Sequence, residues 1–255
     1  MYFKTNKINI YYEKYGTQKQ VILILPGWGN TRETFNNIIN YFKNDYTIYI
    51  IDYPGFGKSK YLTTELTIYD YGLIIKEFIN KNNIENPIIL AHSFGGRITA
   101  ILNSYYNINI KKIILIDVSG IKRFNLKIEL KKYLYKTLKL LIKLLPKNKQ
   151  YYYKNKLFNY FSSPDYKNIN ICMRDTFKNI IKENLKKHYK KIKVETLIIW
   201  GEKDQDTPLK DAYLLNKIIK NSGLIILKNL PHYSYLYNPY KINKIIEIFL
   251  KEKTD

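Results

Sequence analysis

Ile88-Ile89-Leu90-Ala91-His92-Ser93-Phe94-Gly95-Gly96-Arg97 is the stretch on which the reading of this chain turns. Four apolar residues run straight into a serine, and a helix-compatible segment from Ile98 to Tyr105 follows. The pattern is strand, sharp turn, helix, with Ser93 at the apex. A serine placed there needs small neighbours two residues before and after it, because strand and helix backbones nearly touch behind the turn. Ala91 and Gly95 supply them. Such a turn exposes the Ser93 hydroxyl and aims the Phe94 amide, at the helix start, toward developing negative charge. The alternative is an ordinary βα turn around a buried serine, and the stretch alone does not separate the two.

Upstream, Ile8 to Tyr12, Val21 to Leu25 and Tyr46 to Ile51 read as strands, and Thr31 to Phe42 and Ile68 to Asn80 as helices. Pro26-Gly27-Trp28-Gly29-Asn30 ends the second strand, and its glycines leave the Trp28 backbone free to turn inward as a second oxyanion donor. Downstream, Lys112 to Ile116 is a short buried strand ending at Asp117. Alternation at this interval predicts a parallel sheet with right-handed crossovers. It stops between Ile121 and Lys191. There Leu126, Leu130, Leu134, Leu138, Leu141 and Leu145 mark one stripe of a long helix closed by Pro146, and Ile171 to Tyr189 reads as a second helical region. Strands return at Glu195 to Trp200 and Gly223 to Lys228, with helices from Pro208 to about Lys220, capped by Thr207, and from Pro239 to Leu250. The expected organisation is an α/β core, 1–120 and 192–255, interrupted by a helical cap at 121–191. A basic amphipathic helix in that cap is also suited to a membrane surface; packing of the stripe on the core is the favoured expectation.

Composition narrows the function classes. The chain of 255 residues has one cysteine, Cys172, which excludes an internal disulfide framework and fits a reducing, cytoplasmic compartment. Met1 to Ile10 is polar and basic, without the apolar core of a signal peptide, and no apolar run is long enough to span a bilayer. The net charge of +22 invites a nucleic-acid reading. Lysine is nevertheless scattered through nearly every predicted element beside asparagine, isoleucine and 26 tyrosines, a bias expected of an AT-rich genome. The dense run Lys186-Lys187-His188-Tyr189-Lys190-Lys191 is explained by a solvated helix face. Only four of 43 basic side chains are arginine (Arg32, Arg97, Arg123 and Arg174), which points to sites that want a planar fork or to structural ion pairs.

A serine becomes a nucleophile only when a base takes its proton and an acid holds that base in the right tautomer. Of three histidines, His92 adjoins Ser93 and would point away from its hydroxyl, and His188 lies in the lysine run, where exposure is expected. His232 follows a strand on a loop, at the sheet edge where active sites gather, and is the candidate base. Asp204 ends the preceding strand and reaches the same edge.

With these pieces in view the chain resembles the α/β-hydrolase superfamily over essentially its whole length. Five motifs match in order: PGWG, DYPGFGKS, AHSFGG, WGEKD and PHYSYL. The resemblance implies Ser93 as nucleophile, Asp204 as acid, His232 as base, and the Trp28 and Phe94 amides as oxyanion hole. Pro26 stands where the family usually has a histidine, and Ala91 replaces the usual first glycine of the elbow. Asp206 is the rival acid, less favoured because Asp204 falls where the motif places it; Asp117 is a weaker rival, and Cys172 is read as cap packing.

Two functions follow as expectations. The first is a serine hydrolase acting on an ester or similar small acyl compound, with no metal or organic cofactor. The second is a lyase similar to the menaquinone-pathway succinyl-hydroxycyclohexadiene-carboxylate synthase, in which the triad abstracts a proton and Arg97, Arg123 and Arg174 cradle carboxylates. A ligand receptor on the same fold is a third, and the sequence does not separate it. No nucleic-acid partner and no stable membrane insertion are expected.

Overall fold

The computed structural model describes residues 1–5, 8–59, 64–122, 126–162, 166–167 and 169–251. Its strands are β1 (Tyr2–Lys4), β2 (Asn9–Tyr15), β3 (Val21–Leu25), β4 (Thr47–Ile51), β5 (Ile88–His92), β6 (Lys112–Ile116), β7 (Thr196–Gly201) and β8 (Ser222–Leu227). From β3 to β7 every strand position is buried, which suits a parallel sheet covered on both faces. The eight form one sheet in the order β1-β2-β4-β3-β5-β6-β7-β8. The β1–β2 and β2–β4 pairs are antiparallel, and all others are parallel.

Side chains alternate between the two faces, so each strand feeds two cores. Leu23, Leu25, Ile89, Ala91, Ile113 and Leu115 meet α2 (Ile68–Lys81) and α3 (Phe94–Ser104) on one face. Ile22, Ile24, Leu90, Ile114 and Ile116 meet α1 (Asn36–Phe42) and the Pro239–Lys251 helix on the other. A reciprocal capping box between Thr67 and Asp70 fixes the start of α2.

Three local expectations change. β1 is an additional edge strand in a segment read only as polar; it forms because Phe3 is buried, edge-on to Phe78 at 5.5 Å, and Tyr2 pairs with Tyr11. The first part of the Thr31–Phe42 helix is a 3₁₀ turn, Arg32–Phe35, where Thr34 donates both its amide and its hydroxyl to the Thr31 carbonyl. Between β6 and β7, the stretch after Pro146 that contains Tyr151-Tyr152-Tyr153, for which the sequence pattern indicates no element, is a helix of its own. Here lie α4 (Leu126–Ile142), α5 (Lys147–Phe161), a 3₁₀ turn at Ile171–Met173, and helices Arg174–Lys182 and Lys186–Tyr189.

The leucine stripe does not pack on the core as expected. Leu126 and Leu130 are exposed, while Leu138, Ile142, Leu145 and Leu157 line a seam between α4 and α5, with Leu134 and Leu141 half in solvent at its edge. Burial of α4 is supplied by its hairpin partner, so its far side stays in solvent. Cys172, read as cap packing, is exposed as well. No helix among the described residues is long and apolar enough to cross a membrane.

Candidate active site

The turn between β5 and α3 forces Ser93 to φ 47° and ψ −110°, a conformation that a non-glycine residue rarely adopts. What holds it there is close packing. A Cβ on Gly95 would stand 2.0 Å from the Leu25 carbonyl oxygen, so α3 approaches β3 as only glycine permits. The Ser93 amide donates to Ile116 O at 3.2 Å, and Ser93 O accepts from the Ser119 amide at 3.0 Å. Phe94 is the first residue of α3, a position whose amide has no acceptor within the helix.

His232 and Asp204 arrive on the loops after β8 and β7. His232 Nε2 lies 3.0 Å from Ser93 Oγ, and His232 Nδ1 lies 2.8 Å from Asp204 Oδ2. The remaining capacity of the Asp204 carboxylate is filled. Its Oδ1 accepts from the amides of Asp206 and Thr207, both at 2.8 Å, and its Oδ2 from the Thr207 hydroxyl at 2.5 Å. Burial opposes ionisation of Asp204, but the hydrogen bonds from His232 and Thr207 outweigh it and hold the carboxyl below its usual range. Burial likewise opposes a charge on His232, and the hydrogen bond and charge of Asp204 outweigh it, raising its pKa above 6.5.

The two rival acids occupy other roles. Asp206 is exposed and contacts Asp204 through its backbone amide. Asp117 is buried and accepts from the Gly201 amide at 2.7 Å and the Ser234 hydroxyl at 2.6 Å. Its burial, partly offset by those bonds, pushes its pKa up to about 7. Donor atoms of Asp204, Asp206 and His232 lie within 4.8 Å of one another, close enough for a metal. The 2.8 Å Asp204–His232 hydrogen bond already uses two of the three.

His92 points away from the Ser93 hydroxyl, as its place in the turn requires, and it has a task that sequence reasoning missed. Its Nε2 lies 3.1 Å from the His232 carbonyl and its Nδ1 3.4 Å from Asn30 Nδ2. Full burial and the neighbouring His232 depress its pKa to about 3, so it is a neutral donor that holds the His232 backbone. Thr207, read as a helix cap, instead spends its hydroxyl on Asp204, and Pro208 takes the cap position. Neither role leaves a local sequence signal. His188 is half-buried rather than exposed, with Nδ1 2.6 Å from Ser104 Oγ.

A cavity of about 220 Å³ opens at Ser93. Trp28, Asn30 and Tyr233 line it from the core side, and Phe177, Ile180 and Ile181 from the Arg174–Lys182 helix. Trp28 sits edge-on to Phe94 at 5.1 Å and against Phe177 at 5.3 Å. The arginines are distributed unevenly around it. Arg97 is among the lining residues, but Nη1 donates to the carbonyls of Ile180 at 2.9 Å and Glu183 at 3.2 Å, and Nε to Ser119 Oγ at 3.1 Å. Arg174 lies over the Phe158 ring at 4.6 Å and is not among the residues lining the cavity. Arg123 lies outside the described residues.

Residues 20–239 match the family described as alpha/beta hydrolase fold. The chain belongs to the α/β-hydrolase fold family. Among curated relatives, the pimeloyl-[acyl-carrier protein] methyl ester esterase of Wigglesworthia glossinidia brevipalpis is 27% identical over 91% of this chain and 93% of its own length. Lipase 1 of Psychrobacter immobilis is 24% identical over 88% of this chain and 74% of its own. Among solved structures, MGS-M2, an alpha/beta hydrolase enzyme from a Medee basin deep-sea metagenome library, superposes with a TM-score of 0.77 at 20% identity, covering 100% of this chain and 98% of that one. This α/β-hydrolase is therefore an enzyme of a family whose matched members include esterases and lipases.

Proposed function

We propose that this α/β-hydrolase cleaves small carboxylic esters through an acyl-enzyme on Ser93. The observation that carries the reading is the continuous relay Asp204–His232–Ser93, with contacts of 2.8 and 3.0 Å ending at a cavity. In the proposed cycle, His232 Nε2 accepts the Ser93 proton as Oγ attacks the ester carbonyl. The Trp28 and Phe94 amides receive the oxyanion, each contributing about 10²–10³ in rate. Protonated His232 then gives its proton to the departing alkoxide. Water, deprotonated by His232, attacks the acyl-enzyme and releases the acid. Asp204 keeps the Nδ1–H tautomer and stabilises the imidazolium.

Residues 121–191 act in this reading as a cap that excludes water from the acyl-enzyme. Their contribution to the cavity comes through Phe177, Ile180 and Ile181 rather than through the leucine stripe. A volume of about 220 Å³ suits a short acyl group, and methyl esters of carboxylated acyl chains are the first compounds to try, given the methyl ester esterase among the relatives. The lyase alternative needs free guanidinium groups at the cavity. Arg97 and Arg174 are engaged elsewhere, so no observation favours it. The test is a fluorophosphonate probe beside a panel of short and medium p-nitrophenyl esters. Wild type should label and turn over the short esters, and Ser93→Ala should do neither; labelling that survives in Ser93→Ala overturns the proposal.

A further inference from the structure

The α4–α5 hairpin carries an apolar ridge that the hydrolase cycle does not use. Leu126, Leu130, Tyr133, Leu140, Leu141 and Leu144 are each 54% to 82% exposed. At 3.6 residues per turn, Leu126, Leu130, Tyr133 and Leu140 fall on one face of α4, Leu141 stands at the edge of that face beside the α5 seam, and Leu144 follows in the turn beyond Ile142. From Leu126 to Leu141 the ridge covers about 22 Å along the helix axis. Thr137 within it donates its hydroxyl to the Tyr133 carbonyl at 3.1 Å, which leaves the exposed Tyr133 phenol as the polar tip of the ridge. Lys132, Lys136, Lys139 and Lys143, all exposed, run along the adjoining face. Residues 126–161 hold ten lysines and one acid, Glu129, against 43 basic and 21 acidic residues in the whole chain. A general lysine bias raises the cations but does not remove the acids.

We infer that the α4 ridge docks on an anionic lipid bilayer, lying in the plane of the interface with its leucines among the upper acyl chains and its lysines at the headgroups. The charge complementarity selects anionic lipid. Leucines beside one tyrosine suit the boundary between acyl chains and headgroups, where a tyrosine ring is apolar on one side and its hydroxyl stays wet. Lysine stems are long enough to lie along the helix flank while the ammonium reaches the phosphates.

The probe is cosedimentation of the full chain with phosphatidylcholine vesicles, with and without 30% phosphatidylglycerol. Binding should be at least tenfold stronger with the anionic lipid and should weaken with salt, each lysine contributing about fivefold. Two variants separate the parts. Leu130→Gln/Leu140→Gln/Leu144→Gln keeps every charge and should lose binding at least tenfold. Lys136→Gln/Lys139→Gln/Lys143→Gln keeps the ridge and should lose about a hundredfold. Both should retain wild-type hydrolysis of a soluble p-nitrophenyl ester without vesicles, which shows that they fold. Anionic-vesicle binding that the leucine variant leaves intact would be adsorption by net charge alone and overturns the inference. So does failure to bind either vesicle, self-association in gel filtration that the leucine variant abolishes, or saturable binding to an acidic carrier protein in place of vesicles.

Discussion

Replacing Asp204 by asparagine should disable the enzyme through the histidine's tautomer rather than through the fold. The carboxylate accepts four hydrogen bonds: two backbone amides at Oδ1, and His232 Nδ1 and the Thr207 hydroxyl at Oδ2. An asparagine must place its NH₂ on one side or the other. Facing the amides of Asp206 and Thr207, it leaves two buried donors opposed by a third, at a cost of about 1–3 kcal/mol each. Facing His232, it requires only that the imidazole move its proton to Nε2, and the Thr207 hydroxyl can rotate. The second arrangement is the cheaper, and it puts an N–H against Ser93 Oγ where the base should be. Loss of the orienting acid costs about 10⁴ in kcat in such triads, or about 5.5 kcal/mol of barrier. Asp206→Asn leaves its backbone amide in place and should stay within about threefold of wild type. The assay is kcat/KM on a short p-nitrophenyl ester, with circular dichroism and thermal unfolding to confirm the fold. A rate for Asp204→Asn within tenfold of wild type, or a lower rate for Asp206→Asn, refutes the reasoning.

Further outcomes follow from the same site. Only neutral His232 accepts the serine proton, and its pKa is raised, so kcat/KM should climb with pH through a midpoint above 6.5; a midpoint at or below that value contradicts the Asp204 interaction. Gly95→Ala sets a methyl 2.0 Å from the Leu25 carbonyl, so about 3 kcal/mol of overpacking should lower Tm by about 6–12 °C in thermal unfolding, and an unchanged Tm would mean that β3 and α3 can separate freely. Arg97→Lys gives up the planar guanidinium whose Nη1 holds the Ile180 and Glu183 carbonyls while Nε holds Ser119 Oγ, so Tm should fall while the rate ratio between carboxylate-bearing and neutral esters stays constant; a changed ratio at constant Tm would return Arg97 to the substrate.

What the sequence determined by itself is local. Val21–Leu25, Thr47–Ile51, Ile88–His92 and Lys112–Ile116 declare buried strands because each is an apolar run bounded by turn residues, and the elbow is legible because small residues must flank Ser93. Asp204 and His232 could be placed because strand ends in a parallel sheet share one edge. Tertiary structure decided whatever depends on which surfaces meet. β1 exists because Phe3 finds Phe78, a contact between residues far apart in the chain. Arg97 clamps Ile180 and Glu183 across more than eighty residues, so its sequence position beside the elbow suggested a substrate role that its hydrogen bonds do not share. His92 and Thr207 support the relay through contacts with no periodicity to announce them. The leucine stripe is the sharpest case. Its period correctly marked a helix, but amphipathic spacing states only that one face is apolar. Whether that face meets a core is settled by the elements around it, and here α5 covers one side of α4 and leaves the other in solvent.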